Sequence, residues 1–122
     1  MKPSQPNVEY CTEHREFVNS LLEKRGGGEP EDRIIQTKEG RGVWLPSEGD
    51  VLAMLRTELP RLGEGDYGWA LEGANDADTY QAWIPRYVDE GTGYEDEDIY
   101  LTDWLPTPLI ALLELLRAVE DV

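Results

Sequence analysis

Ile99-Tyr100-Leu101-Thr102-Asp103-Trp104-Leu105-Pro106-Thr107-Pro108, followed by Leu109-Ile110-Ala111-Leu112-Leu113-Glu114-Leu115-Leu116-Arg117-Ala118-Val119, is the stretch that decides the fold. Its first six residues alternate, and their β-branched and aromatic side chains suit a half-buried pleated surface, so residues 99–104 are expected to form a strand. Leu105-Pro106-Thr107-Pro108 turns a corner. Thr107 is a good helix N-cap, and Pro108 falls at the first helical position, where its missing N–H costs nothing. Between Leu109 and Val119 only Glu114 and Arg117 are charged. Leu109, Leu112, Leu113, Leu116 and Val119 share one face, and Ile110 and Leu115 widen it. A helix this apolar must be buried, against a sheet or against a second copy of itself.

Working outward, the chain of 122 residues has the length of one domain, residues 1–122. Such a chain buries roughly two thirds of its unfolded surface, enough for a core without disulfides or metal. Hydrophobic content of 39% with four Trp and six Tyr excludes wholesale disorder. The single Cys11 excludes an internal disulfide. No stretch approaches the roughly 20 apolar residues of a membrane span. Residues 1–6 contain no apolar run, so a secretory signal is not expected there and the expected setting is cytoplasmic.

Residues 1–7, with two prolines, read as a loose arm. Thr12 is expected to open a helix with Phe17, Val18, Leu21 and Leu22 as its stripe, extended backward by Tyr10 and His14 and ended by Gly26-Gly27-Gly28. Residues 33–37 and 43–45 are strand candidates joined by a glycine-containing turn. Ser47 precedes a helix carrying Val51, Leu52, Leu55 and Leu59, which Pro60 stops. Residues 67–72 and 79–88 are further strands, with Pro85 marking an edge or a bulge. Residues 89–98 read as an acidic, glycine-containing connection. The expected architecture is therefore α+β in a single domain, in the order α-β-β-α-β-β-β-α. A mostly antiparallel sheet of about five strands would carry about three helices on one face.

The net charge of −15 is unevenly spread. Residues 1–61 carry 9 basic and 11 acidic side chains, whereas residues 62–116 carry 13 acidic side chains and one base, Arg86. Such a field repels nucleic acid and anionic lipid and steers basic partners. Catalytic signatures are scarce. There is one histidine and one cysteine, and no G-x-S-x-G, Walker A or dinucleotide glycine fingerprint. Cys11 and His14 could share a helix face, but a zinc site wants three or four such ligands, and a packed pair is the plainer account. Asn75, Asp76 and Asp78 begin like a calcium loop, yet Tyr80 stands where the next oxygen ligand should be, so neither metal nor cofactor is expected. Glu72, Asp103 and Glu114 are carboxylates on expected elements; Asp103 would brace the following corner or, in an enzyme, serve as an acid or base.

The sharpest signal is residues 89–103. They hold Asp89, Glu90, Glu95, Asp96, Glu97, Asp98 and Asp103 with no base, interleaved with Tyr94 and Tyr100 and flanked by Tyr87 and Trp104. Carboxylates around aromatic anchors describe an interface for a basic protein. With Asp76 and Asp78 added, these residues form the expected partner-binding site. The blander accounts are a solvated loop and a general acidic bias. The expected function is a non-catalytic acidic interaction protein. One version occupies a nucleic-acid-binding groove by presenting carboxylates in place of phosphates, as phage-encoded antagonists of host defence do; another is an immunity protein. Direct nucleic-acid and membrane binding are excluded by the charge. Two alternatives come from other classes: a small ligand-binding or enzymatic domain using Glu72, Asp103 and the tryptophans, and a structural subunit that forms a homodimer through its C-terminal helix.

Overall fold

The computed structural model describes residues 5–25, 33–36, 40, 42–62, 66–75, 77–89 and 94–120, with the backbone alone described at residues 25, 33, 61, 66–67, 86–89 and 94–100. The chain divides into two compact units, Met1–Ser47 and Glu48–Val122, described separately below. The class is mixed α+β. The expected single five-stranded sheet with three helices is corrected: among the described residues there are four α-helices, and the strands form two separate antiparallel sheets.

In the first unit, helix α1 (Gln5–Glu13) takes in residues 5–7 of the expected loose arm, whose residues 1–4 lie outside the described residues, and α1 with helix α2 (Arg15–Arg25) replaces the expected single helix. Pro6 is tolerated because it lies in the first turn, where its missing N–H would have no intrahelical acceptor. The hydrogen-bond ladder runs on through the junction: the His14 N–H donates to the Tyr10 carbonyl (2.9 Å) and the Val18 N–H to the His14 carbonyl (3.0 Å). Tyr10, Cys11, Val18 and Leu21 are buried, and both helices pack on strand β2. Strand β1 (Arg33–Gln36) pairs with β2 (Gly42–Leu45) in the register Ile34 to Trp44 and Gln36 to Gly42. Gly40 in the turn has φ of 75°, a conformation that disfavours a Cβ. Gly42 has a separate reason to be glycine, since a Cβ there would meet Ile34 Cγ2 at 2.9 Å.

Asn19 on α2 binds strand β2 directly. Its Nδ2 donates to the Gly42 carbonyl (3.1 Å), and its Oδ1 accepts from the Trp44 N–H (3.0 Å). One amide side chain thus supplies the donor and the acceptor that a neighbouring strand would offer.

In the second unit, helix α3 (Glu48–Glu58) is followed by a 3-10 turn over Leu59–Leu62 that contains Pro60. Strands β3 (Asp66–Tyr67) and β4 (Ala70–Gly73) replace the single strand expected over 67–72. Both pair antiparallel with β5 (Tyr80–Asp89), and β6 (Tyr94–Leu101) pairs along its other side. Residues 94–98, expected in a connection, therefore belong to a strand. The register shifts between Ile84 and Pro85: Ile84 faces Tyr100 but Pro85 faces Asp98, which leaves Ile99 as the extra residue of a bulge. Proline cannot donate to the ladder, and an irregularity there relieves the mismatch. The Pro85 carbonyl still accepts from the Gly68 N–H at 3.1 Å.

Helix α4 (Pro108–Glu120) closes this unit. It packs on α3 and on β4, β5 and β6. Leu109, Ile110, Ala111, Leu112, Leu113, Leu115, Leu116 and Val119 are all at most 5% exposed, so its apolar residues are consumed within the chain. Thr107 caps it as expected: its hydroxyl accepts from the Ile110 N–H (3.1 Å), and its carbonyl accepts from the Ala111 N–H (3.1 Å).

Two substitutions test these local devices. Thr107→Ala is expected to lower unfolding free energy by about 1 kcal/mol, with Thr107→Ser close to wild type, measured by urea denaturation. Asn19→Ala leaves two backbone groups of β2 without their partner and is expected to cost about 2 kcal/mol. A loss below a few tenths would show that water replaces the amide.

Candidate acidic interface and groove

The acidic residues are positioned by the pairing of β5 with β6. The ladder sets Asp89 opposite Tyr94, Val88 opposite Glu95, Tyr87 opposite Asp96, Arg86 opposite Glu97, and Pro85 opposite Asp98. Four consecutive acidic residues thus lie along one strand. Successive positions in a strand alternate between faces, so Glu95 and Glu97 have one parity and Asp96 and Asp98 the other. Arg86, the single base of residues 62–116, holds the register position across from Glu97. Among the described residues β6 pairs only with β5, which places the acidic run on a sheet edge. Charge on an edge strand also discourages pairing with foreign strands.

Of the expected partner-binding residues, Tyr87, Asp89, Tyr94, Glu95, Asp96, Glu97, Asp98 and Tyr100 are therefore brought onto one hairpin. Trp104 follows it and is 46% exposed. Asp78 is exposed in the segment between β4 and β5, off the hairpin. Asp76 and Glu90 lie outside the described residues.

Beyond β6 the chain stays tied to β5. The Thr102 N–H donates to the Ala82 carbonyl (2.9 Å), and the Thr102 hydroxyl accepts from the Ala82 N–H (3.0 Å). The Thr102 carbonyl accepts from Gln81 Nε2 (2.8 Å). Leu105 and Tyr80 exchange both backbone bonds at 2.7 Å. Thr102 and Gln81 thus extend the ladder with side chains past the end of regular pairing. Sequence pattern had singled out neither in this role. A threonine at a strand end was the one available signal, and it is shared by many positions with no such role.

This anchored segment and α4 enclose a groove of about 270 Å³ lined by Leu101, Thr102, Asp103, Leu105, Glu114, Leu115 and Ala118. Two of the three carboxylates singled out from the sequence, Asp103 and Glu114, meet there, and Glu72 is exposed on β4 instead. Asp103 was expected to brace the corner. The corner is held instead by the Leu105–Tyr80 bonds and the Thr107 cap, and Asp103 contributes a backbone carbonyl that accepts from the Thr102 hydroxyl at 3.0 Å. Glu114 pairs with Arg117 one turn on, at 3.5 Å and in partial exposure, where such pairs contribute little stability. Leu101 is 61% exposed, an apolar side chain left in water at the groove.

The Cys11 and His14 pair is not built as a metal site. Cys11 is fully buried, and His14 packs its ring on Tyr10 with centroids 4.3 Å apart. Among the described residues no group of three or more His, Cys, Asp or Glu converges. No helix among them is long and apolar enough to cross a membrane. No family model, curated protein or solved structure matches the chain.

Burial raises the Cys11 thiol from 9.0 to about 11 by disfavouring the thiolate. The folded chain then keeps a proton that the unfolded chain gives up. The stabilisation is complete below pH 9 and is lost as pH rises toward about 11. Urea titrations across this window should show a fall in stability that Cys11→Ala flattens, and the thiol should resist a disulfide reagent at pH 8 until the chain is unfolded.

Proposed function

We propose that this protein is a non-catalytic, cytoplasmic binder of a basic protein surface, and that strand β6 with its flanks is the contact. The observation that carries this reading is the unbroken run Glu95-Asp96-Glu97-Asp98 on an edge strand. A strand advances about 3.3 Å per residue, and one strand of duplex DNA carries a phosphate about every 3.4 Å of axis. Averaged over its two faces, the run therefore carries charge along its axis at a density like that of one nucleic-acid strand. Lysines and arginines arranged for a polyanion accept carboxylates equally well. A nucleic-acid-binding protein is the partner that such spacing suits best. Self-association through α4 is disfavoured, because its apolar side chains are already buried within the chain.

The test is capture by the tagged protein from lysate of its natural setting, washed at about 50 mM and then about 500 mM salt, a range over which the Debye length falls from above about 10 Å to roughly 4 Å. A basic partner should be held at the lower salt and released at the higher. The fourfold variant Glu95→Gln, Asp96→Asn, Glu97→Gln, Asp98→Asn should lose it with little change in Tm. Capture that survives all four substitutions would sink the site assignment.

A further inference from the structure

We infer that the groove between residues 101–105 and α4 receives an arginine side chain of the partner protein; the inference rests on the acidic-interface reading and adds a specific subsite to it. The volume of about 270 Å³ falls below the roughly 300–1,000 Å³ of sites for drug-sized ligands and suits one long side chain. The lining is divided by chemistry. Leu105 and Ala118, with Leu115 buried behind them, supply the apolar side for an aliphatic stem, and Asp103 and Glu114 supply carboxylates for its head. Long cationic side chains bury their stems on apolar surface and keep the head at polar groups in this way. Arginine fits better than lysine because its guanidinium is weakly hydrated and can meet carboxylates with several donors in one plane. Asp103 is the principal recognition group, since Glu114 already shares Arg117.

The wall is preorganised. Hydrogen bonds between β5 and both Thr102 and Leu105 hold the segment in place before any ligand arrives, which lowers the entropic cost of binding. The groove is also continuous with the acidic strand: Leu101, one of its lining residues, is the last residue of β6. Ile99 and Tyr100 separate Asp98 from Leu101, and because Ile99 is bulged the pair spans only the two steps from Pro85 to Trp83 on the partner strand, about 7 Å at the rise of a strand. A basic row lying along β6 could therefore place one arginine beyond its end and into the groove.

The direct test uses acetyl-arginine methylamide as probe, with its uncharged citrulline counterpart, followed by amide chemical shifts of the isotope-labelled full chain. The arginine probe should move amides of residues 101–105 and 114–118 saturably, and the citrulline probe should bind more weakly. Asp103→Asn, at an exposed position, should weaken the arginine probe about fivefold, the size expected of a partly exposed ion pair. Ala118→Leu, a helix-compatible change that fills the groove, should abolish the response. Shifts centred elsewhere, equal response to both probes, or indifference to Asp103→Asn would each overturn the inference. The two proposals fail separately. Hairpin-dependent partner capture without probe binding overturns the groove alone. Probe binding in a chain whose capture survives the fourfold hairpin variant upholds the groove and overturns the hairpin.

Discussion

Withdrawal of helix α4 from water is the constraint on which the second unit depends. Eight of its side chains are buried, each contributing roughly 1.5–3 kcal/mol for a fully buried Leu or Ile and less for Ala111. That gain is available only if α3 covers one side and the sheet another. The inward residues of the central strand, Ala82 and Ile84, are accordingly free of solvent. The Thr107 cap and Pro108 fix where the helix begins, so the corner at residues 105–108 sets how the chain leaves the sheet and enters the helix. The groove is a by-product of that corner, because the segment tied to β5 must pass alongside the last turns of α4.

Strand β5 performs the second organising role. It pairs with β3 and β4 on one side and β6 on the other, and its proline sits at the register shift. Aspartate and glutamate are poor strand formers. The acidic residues 95–98 take extended backbone because β5 offers a ladder, not because they favour one. A loop would leave the spacing of these residues unset; a strand spaces their backbone positions regularly, with alternate residues on opposite faces. The proposed function rests on that regular strand backbone rather than on the net charge.

The first unit follows a different logic. Its sheet has only two strands, and a hairpin alone is marginal in water. Packing of α1 and α2 on β2, with the Asn19 amide occupying the Gly42 carbonyl and the Trp44 N–H, supplies what a third strand would. Burial of Cys11 among these elements favours its protonated thiol, which packs as a small apolar group.

Read from residues alone, the devices that act over a few positions were legible. The Thr107 cap, the buried stripe of α4, the irregularity at Pro85, the hairpin over residues 33–45 and the asymmetry of charge all follow from chemistry within one or two turns of chain. What tertiary structure decided was pairing and convergence. The division of strands into two sheets, the recruitment of residues 94–98 into β6, the helix over residues 5–13 and the grip of Asn19 on β2 depend on partners from 5 to 25 positions away or more, which propensity does not encode. The same holds for the site. The carboxylates could be counted in the sequence, but the meeting of Asp103 with Glu114 across one groove, and the exclusion of Glu72 from it, exist only once α4 has folded back on the end of β6. Local composition sets which groups are charged; the long-range ladder and the buried helix set where those charges stand.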